Sequence, residues 1–394
     1  MKILSLDGGG TWALIQARAL GALYGGATPG HTILRWFDLV AANSGGSIVA
    51  GALAADFTPD QISAVFDEQV KTIFVPTTFG GVERWIAKRF DLNAPWSAKQ
   101  KLHGLQNALK PLGTKTLAAV QASAAGLPHF LISAYDYDRR RVRFFRSNLQ
   151  SLAGSQDRPS LVPTFVEAIH ASSNAPVLFF DEPALLSPSD RFWDGGVAGY
   201  NNPVMAAVLE LRANFGAIPV RALSIGTGQV KLPLRDESKR AEWDALVAAP
   251  EATGMVHDLK EMAMSILDDP PDAASFAAHV VLGGRMPRPG EPAVDDGPVV
   301  RLNPLVQPWL DATGTTWTRM LPPEQDDVFE LLVKLRMDAT EGKDIDAIKV
   351  LAVEWLAGRS PNQAIRTNRN CQVEIGHRRF ADGQRQARAM GLVP

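Results

Sequence analysis

Four short apolar runs in this chain break off into glycine-bearing loops, at 7–10, 43–46, 194–196 and 226–228. Helical spacing takes over after several of them. After Ile3-Leu4-Ser5-Leu6 and "DGGG", Trp12, Ile15, Ala19, Leu20 and Leu23 recur at that spacing and predict a helix over 12–24. The alternation continues. A buried strand is expected at 37–42, a helix at 45–55, and another helix opened by Thr58-Pro59-Asp60-Gln61, a capping hydroxyl followed by Pro and Gln. Further helices are expected at 97–111, within 162–172 and from Asn202-Pro203, with strands in 129–145, 191–196, 220–228 and 298–304. Uninterrupted apolar strands alternating with helices predict an α/β fold, a mainly parallel central sheet with helices on both faces. In such sheets sites form at the carboxyl ends of the strands, where these loops lie.

Two stretches break the pattern. Residues 268–276 and 285–297 are rich in Pro and Asp and read as loops. Past 305 the spacing is helical to the end, most clearly over 344–358, so the expected division is a catalytic unit at 1–305 and a helical C-terminal extension at 306–394 packed on it. The stretch 79–92 puts Val82, Trp85, Ile86 and Phe90 on one helical face beside Arg84, Lys88 and Arg89. It reads as a helix packed on the core or as an interfacial lid. The basic tail 376–391 reads as a solvated helix face, or as a grip on lipid headgroups or an acidic partner.

Composition removes several classes of function. A formal charge of −2 gives no basic field for nucleic acid. One cysteine, Cys371, cannot form an intrachain disulfide, which favours a reducing compartment. The histidines are scattered and no HExxH spacing occurs, so a metal site is not expected. "MKILSLDGGG" reaches Asp7 too early for the apolar core of a signal peptide, and no apolar run has transmembrane length. The expectation is a cytoplasmic protein able to touch a membrane surface.

"LVAANSGGSIVAG" (39–51) runs from a strand through a turn into a helix, with serines at 44 and 47. A nucleophile elbow needs small residues two positions before and after its serine, because strand and helix crowd there. Ser44 has Ala42 and Gly46 at those positions; Ser47 has Gly45 and Val49. Ser44 fits better, with Ala42 in place of the usual glycine. The same letters also suit an ordinary helix cap. At the positive end of the helix dipole, the N–H of Gly45 is placed to face a developing oxyanion.

"LDGGGTW" offers successive backbone N–H groups beside a helix start. Such a loop cradles a phosphate in kinases of the actin and sugar-kinase type, or supplies oxyanion donors. Those kinases continue with a second strand, whereas "TWALIQARALGALYG" has helical spacing, which favours the oxyanion reading. Downstream, "WDGGVAGYNNP" places Asp194 at the end of a short strand, where Asp-Gly is by itself an ordinary turn.

Taken in order, "DGGG" at 7–10, "ANSGG" at 42–46 and "DGG" at 194–196 resemble the patatin-like phospholipases. "HASSNAPVLFF" (170–180), "DGGVAGYNNP" and "LSIGTG" (223–228) resemble further stretches of that family, and the resemblance covers roughly residues 1–305. It implies a three-layer α/β/α fold and a lipid acyl hydrolase working through a Ser–Asp dyad, with a lipid or phospholipid as substrate. Ser44 is then the nucleophile, Asp194 the general base, and Gly8, Gly9, Gly10 and Gly45 the oxyanion donors, with no metal or cofactor. An aspartate at its ordinary pKa near 4 is a poor base for a hydroxyl; burial raises it, and strong oxyanion stabilisation lowers the demand on it. Trp12-Ala13 stand where the family usually carries Arg-Gly or Lys-Gly, which puts an anion contact there in doubt. Two rivals stay open: a sugar-kinase-like phosphotransferase, and a non-catalytic lipid-binding protein on the same scaffold.

Overall fold

The sheet strands are β1 (Lys2–Leu6), β2 (Leu39–Ala42), β3 (His129–Asp136), β4 (Arg141–Arg146), β5 (Ala184–Ser187), β6 (Asp190–Asp194), β7 (Arg221–Ile225) and β8 (Val299–Leu302). The main helices are α1 (Leu14–Tyr24), α2 (Ser44–Ala54), α3 (Pro59–Glu68), α4 (Ala98–Ala108), α5 (Phe165–Ser172), α6 (Val204–Phe215), α7 (Pro270–Val281), α8 (Gly342–Leu356) and α9 (Phe380–Ala389). The computed structural model describes residues 1–68, 70–77, 96–147, 161–176, 179–230, 270–306, 309–310, 317–318, 326–335, 337, 339–368 and 373–394. The 79–92 stretch and Cys371 lie outside these.

Among the described residues the sheet runs β5-β6-β3-β2-β1-β7-β8, with β4 on β3. The neighbours from β3 through β2, β1 and β7 to β8 are parallel; β4, β5 and β6 pair antiparallel. Side chains alternate between faces along each strand. Leu4, Leu6, Val40, Ala42 and Ile132 join the larger core with residues of α1, α2, α5 and α8. Ile3, Leu39, Ala41 and Leu131 join a second core with residues of α6 and Ala278 of α7. Helices therefore cover both faces, as the uninterrupted apolar strands require.

One edge of β3 carries two strands end to end. Ile132 pairs with Ala42 of β2, and Ala134 pairs with Asp194 of β6. Because β2 and β6 run toward each other along that edge, the residue after Ala42 meets the end of β6. On the other side, Leu6 of β1 registers with Ala42 and with Ile225 of β7. All four glycine-bearing loops thus gather at the carboxyl ends of the parallel strands.

Two expectations are corrected. Residues from Pro270 on form α7, where a loop was expected. Pro is tolerated in a first turn whose N–H groups lack partners, and Ala274 and Ala278 give the helix an apolar side on the second core. Past 305 the chain is not uniformly helical: Arg366–Asn368 pairs antiparallel with Val373–Ile375, and Trp309–Leu310 with Trp317–Thr318. The cap at 58–61 forms as read: Thr58 N–H donates to Gln61 Oε1 (2.9 Å), and Gln61 N–H to Thr58 Oγ1 (3.2 Å). Among the described residues no helix is long and apolar enough to cross a membrane.

Candidate active site

β2 ends at Ala42, and the chain turns so sharply that Ser44 has φ +48°. A non-glycine residue in this region is strained by about 1–3 kcal/mol and persists only where its surroundings fix it. They do so here. Ser44 N–H donates to Ser172 Oγ at 3.0 Å, and the following residues enter α2 directly. Ser47 is accounted for differently: its hydroxyl donates to Ser44 O at 2.5 Å inside the helix.

The glycines around the turn are set by space. A Cβ on Gly45 would sit 2.4 Å from Gly10 O, and one on Gly10 would sit 2.1 Å from Met337 O. The two loops therefore lie backbone to backbone. Gly10 and Gly45 each open a helix, so their N–H groups have no carbonyl of that helix to bond. Gly8 departs from the expectation: its N–H donates to Asn201 O at 2.9 Å, and it is absent from the lining of the cavity that Gly9, Gly10 and Gly45 share. Met337 O holds the loop from outside, accepting from Thr11 N (2.9 Å) and Thr11 Oγ1 (3.0 Å).

Asp194, at the end of β6, is buried with Ser44 in that cavity. Its Oδ1 accepts from Asn43 Nδ2 at 3.0 Å and from Gly196 N–H at 2.8 Å. Asn43 is itself oriented by Ser133, whose hydroxyl donates to Asn43 Oδ1 at 2.7 Å. Burial pushes the Asp194 carboxyl above its ordinary value; hydrogen bonds from the Ser44 hydroxyl, Gly196 N–H and Asn43, and the charge of Lys101, pull it back. In the sequence Asn43 suits an ordinary helix cap, and Lys101 stands in no motif. Asn43 carried a signal, since a buried polar residue at a strand end needs partners.

The cavity opens to solvent and, with its mouth included, offers about 490 Å³ of empty space, with Ile48, Phe74, Phe179, Phe180 and Met337 as apolar lining. Trp12 packs in the core instead, and a Cβ on Gly228 would meet its ring at 3.1 Å. Asp7, the first letter of "DGGG", points away from the serine turn into a buried ion pair, 2.6 Å from Arg301 Nη2. Arg301 registers with Ser224 across β7 and β8 and donates to its hydroxyl at 2.9 Å.

A model of the patatin-like phospholipase family matches residues 4–208, the stretch that carries the glycine loop, the serine turn and the Asp194 loop. The chain belongs to the patatin-like phospholipases. This patatin-like chain is also similar to a protein of Pseudomonas aeruginosa named as a cGAMP-activated phospholipase, 28% identical over 244 residues, 59% of this chain. The match spans 64% of that relative's length. Among solved structures, VipD from Legionella pneumophila aligns over 90% of this chain and 66% of its own, at 10% identity and a TM-score of 0.35. Human GIVD cytosolic phospholipase A2, in complex with methyl gamma-linolenyl fluorophosphonate, aligns over 89% of this chain and 56% of its own, at 13% and 0.39.

Proposed function

We propose that this chain is a serine lipid acyl hydrolase that cleaves esters of phospholipids or related lipids through an acyl-enzyme intermediate. One observation carries the reading: a strained serine and a buried, partly pulled-back carboxylate share an apolar cavity with backbone N–H groups at two helix starts. Ser44 Oγ attacks the ester carbonyl carbon, and its proton passes to Asp194. The tetrahedral oxyanion is held by N–H groups of Gly9, Gly10 and Gly45, where the dipole of α2 also favours negative charge. Collapse breaks the ester bond, and the leaving alkoxide takes the proton from Asp194. Water then gives a proton to Asp194 and attacks the acyl carbon; Ser44 leaves and recovers the proton, and a carboxylic acid departs. The raised carboxyl makes Asp194 a better base than an exposed aspartate.

The test is release of fatty acid from phospholipid vesicles by the full chain, with Ser44→Ala and Asp194→Asn beside it. The relative's name supplies one condition, so each assay is run with and without cyclic GMP-AMP. We expect release by the wild type in at least one condition, none by Ser44→Ala, and a loss of at least about 10³-fold in Asp194→Asn. Mg²⁺-dependent ATP turnover that ignores Ser44→Ala would instead favour the phosphotransferase, and binding to vesicles without release would favour the lipid-binding protein.

A further inference from the structure

We propose that Lys101 is a positioning residue for the Ser44–Asp194 pair: its ammonium pins the turn at residues 172–174 that holds both, and places a positive charge in their cavity. The inference rests on the hydrolase reading above.

Three consecutive residues make the connection. Ser172 Oγ accepts the N–H of Ser44 at 3.0 Å. Ser173 O accepts from Lys101 Nζ. Asn174 O accepts the N–H of Asp194 at 2.9 Å. The turn therefore touches the nucleophile, the lysine and the base in sequence order, and Lys101 grips its middle carbonyl. Lys101 is fully buried in the first turn of α4, lines the same cavity as Ser44 and Asp194, and holds its ammonium 4.2 Å from the centroid of the Phe180 ring. The start of α4 is fixed in turn: Ala98 N–H donates to Asp181 Oδ1 at 2.9 Å, and Trp96 N–H to Phe179 O at 2.6 Å.

A buried ammonium is expensive, and an apolar side chain of similar length would fill the space at lower cost. The charge needs a reason, and Asp194 supplies one. The titratable groups that act on Lys101 or feel its charge from neighbouring elements are Asp194 on β6 and His170 on α5. Burial, and then the Lys101 charge, hold His170 well below the ordinary imidazole value, so it is neutral. Burial likewise lowers Lys101, against the attraction of Asp194. As the carboxylate sharing this cavity, Asp194 is the charge that answers it.

The experiment measures the labelling rate of the full chain by a fluorophosphonate probe across acid to mildly alkaline pH, for wild type, Lys101→Met and Lys101→Arg. We expect Lys101→Met to label at least about tenfold more slowly at neutral pH, with its acid limb moved upward by about one unit or more. Lys101→Arg keeps the charge and is expected to leave the limb near the wild-type position, even where the larger head slows labelling. A Lys101→Met limb that does not move overturns the inference, as does a Lys101→Arg limb displaced as far as that of Lys101→Met. Should Lys101→Met fail to fold, Lys101→Gln takes its place under the same criterion. A wild type that never labels is a different result: it removes the hydrolase reading, and the role of Lys101 with it.

Discussion

Ser44 and Asp194 are each held in a state that a free residue would avoid. Ser44 keeps a positive φ where the Ser172 hydroxyl takes its N–H and α2 starts directly behind it. Asp194 keeps a carboxyl where burial favours the protonated form. The consequence for activity is an acid limb that lies above the ordinary carboxylate range of about 4, since the base must be ionised to accept the serine proton. The consequence for stability has a definite sign. A carboxyl raised on folding contributes stability that is fully present below its unfolded value and is lost as pH rises through its folded value. Asp194→Asn keeps an acceptor for Asn43 and Gly196 without the charge. Its Tm relative to wild type is expected to decline as pH falls through the Asp194 value, because only the wild-type carboxyl gains stability there by taking up a proton; calorimetry across pH checks this, and a pH-independent difference contradicts it. At this scale the sequence carried Ser44 and Asp194 through their small neighbours and ordered loops. It did not carry Lys101, which sits in "SAKQKLHGLQ" among polar letters and in no motif.

The elements bring these residues together through register. β2 and β6 share an edge of β3, so Ala42 and Asp194 lie opposite Ile132 and Ala134. The strands themselves were legible from apolar runs and the helices from spacing. The shared edge was not, because antiparallel pairing of β6 leaves no mark in local composition. Helix α7 was misread for a related reason: its paired prolines look like a loop unless the chain is known to turn helical right after them. One close approach in the site is between two elements, the glycine loop and the start of α2. Gly45→Ala places a Cβ 2.4 Å from Gly10 O and 2.9 Å from Ala13 Cβ, so backbone has to move. Probe labelling is expected to fall by about 10²-fold or more, with a stability loss of about 1–3 kcal/mol by urea unfolding. Gly342→Ala is the control: a Cβ there meets nothing within 4 Å, and labelling should not change.

Across the whole molecule, the site depends on residues far beyond the matched segment. Arg301, from the last strand of the sheet, neutralises Asp7 under the glycine loop, and Met337 O holds Thr11 above it. Val306, Phe329, Ile345 and Trp355 share the larger core with α1 and α2. We propose that the residues past 305 are an extension that completes the catalytic unit. Arg301→Met takes the cation from a buried carboxylate and is expected to lose about 3–5 kcal/mol. The Asp7→Asn, Arg301→Met double variant should recover part of that loss in urea unfolding; a purely additive double variant contradicts the pairing. The ordered loops made the family and the layered fold legible, whereas a backbone carbonyl such as Met337 O has no signature in a sequence. The central claim remains that Ser44 is the nucleophile. It is tested most directly by treating the full chain with a fluorophosphonate and mapping the adduct by peptide fragmentation. The account predicts one adduct, on Ser44 and not on Ser47, that disappears in Ser44→Ala; an adduct that survives Ser44→Ala, or that maps to another residue, contradicts it.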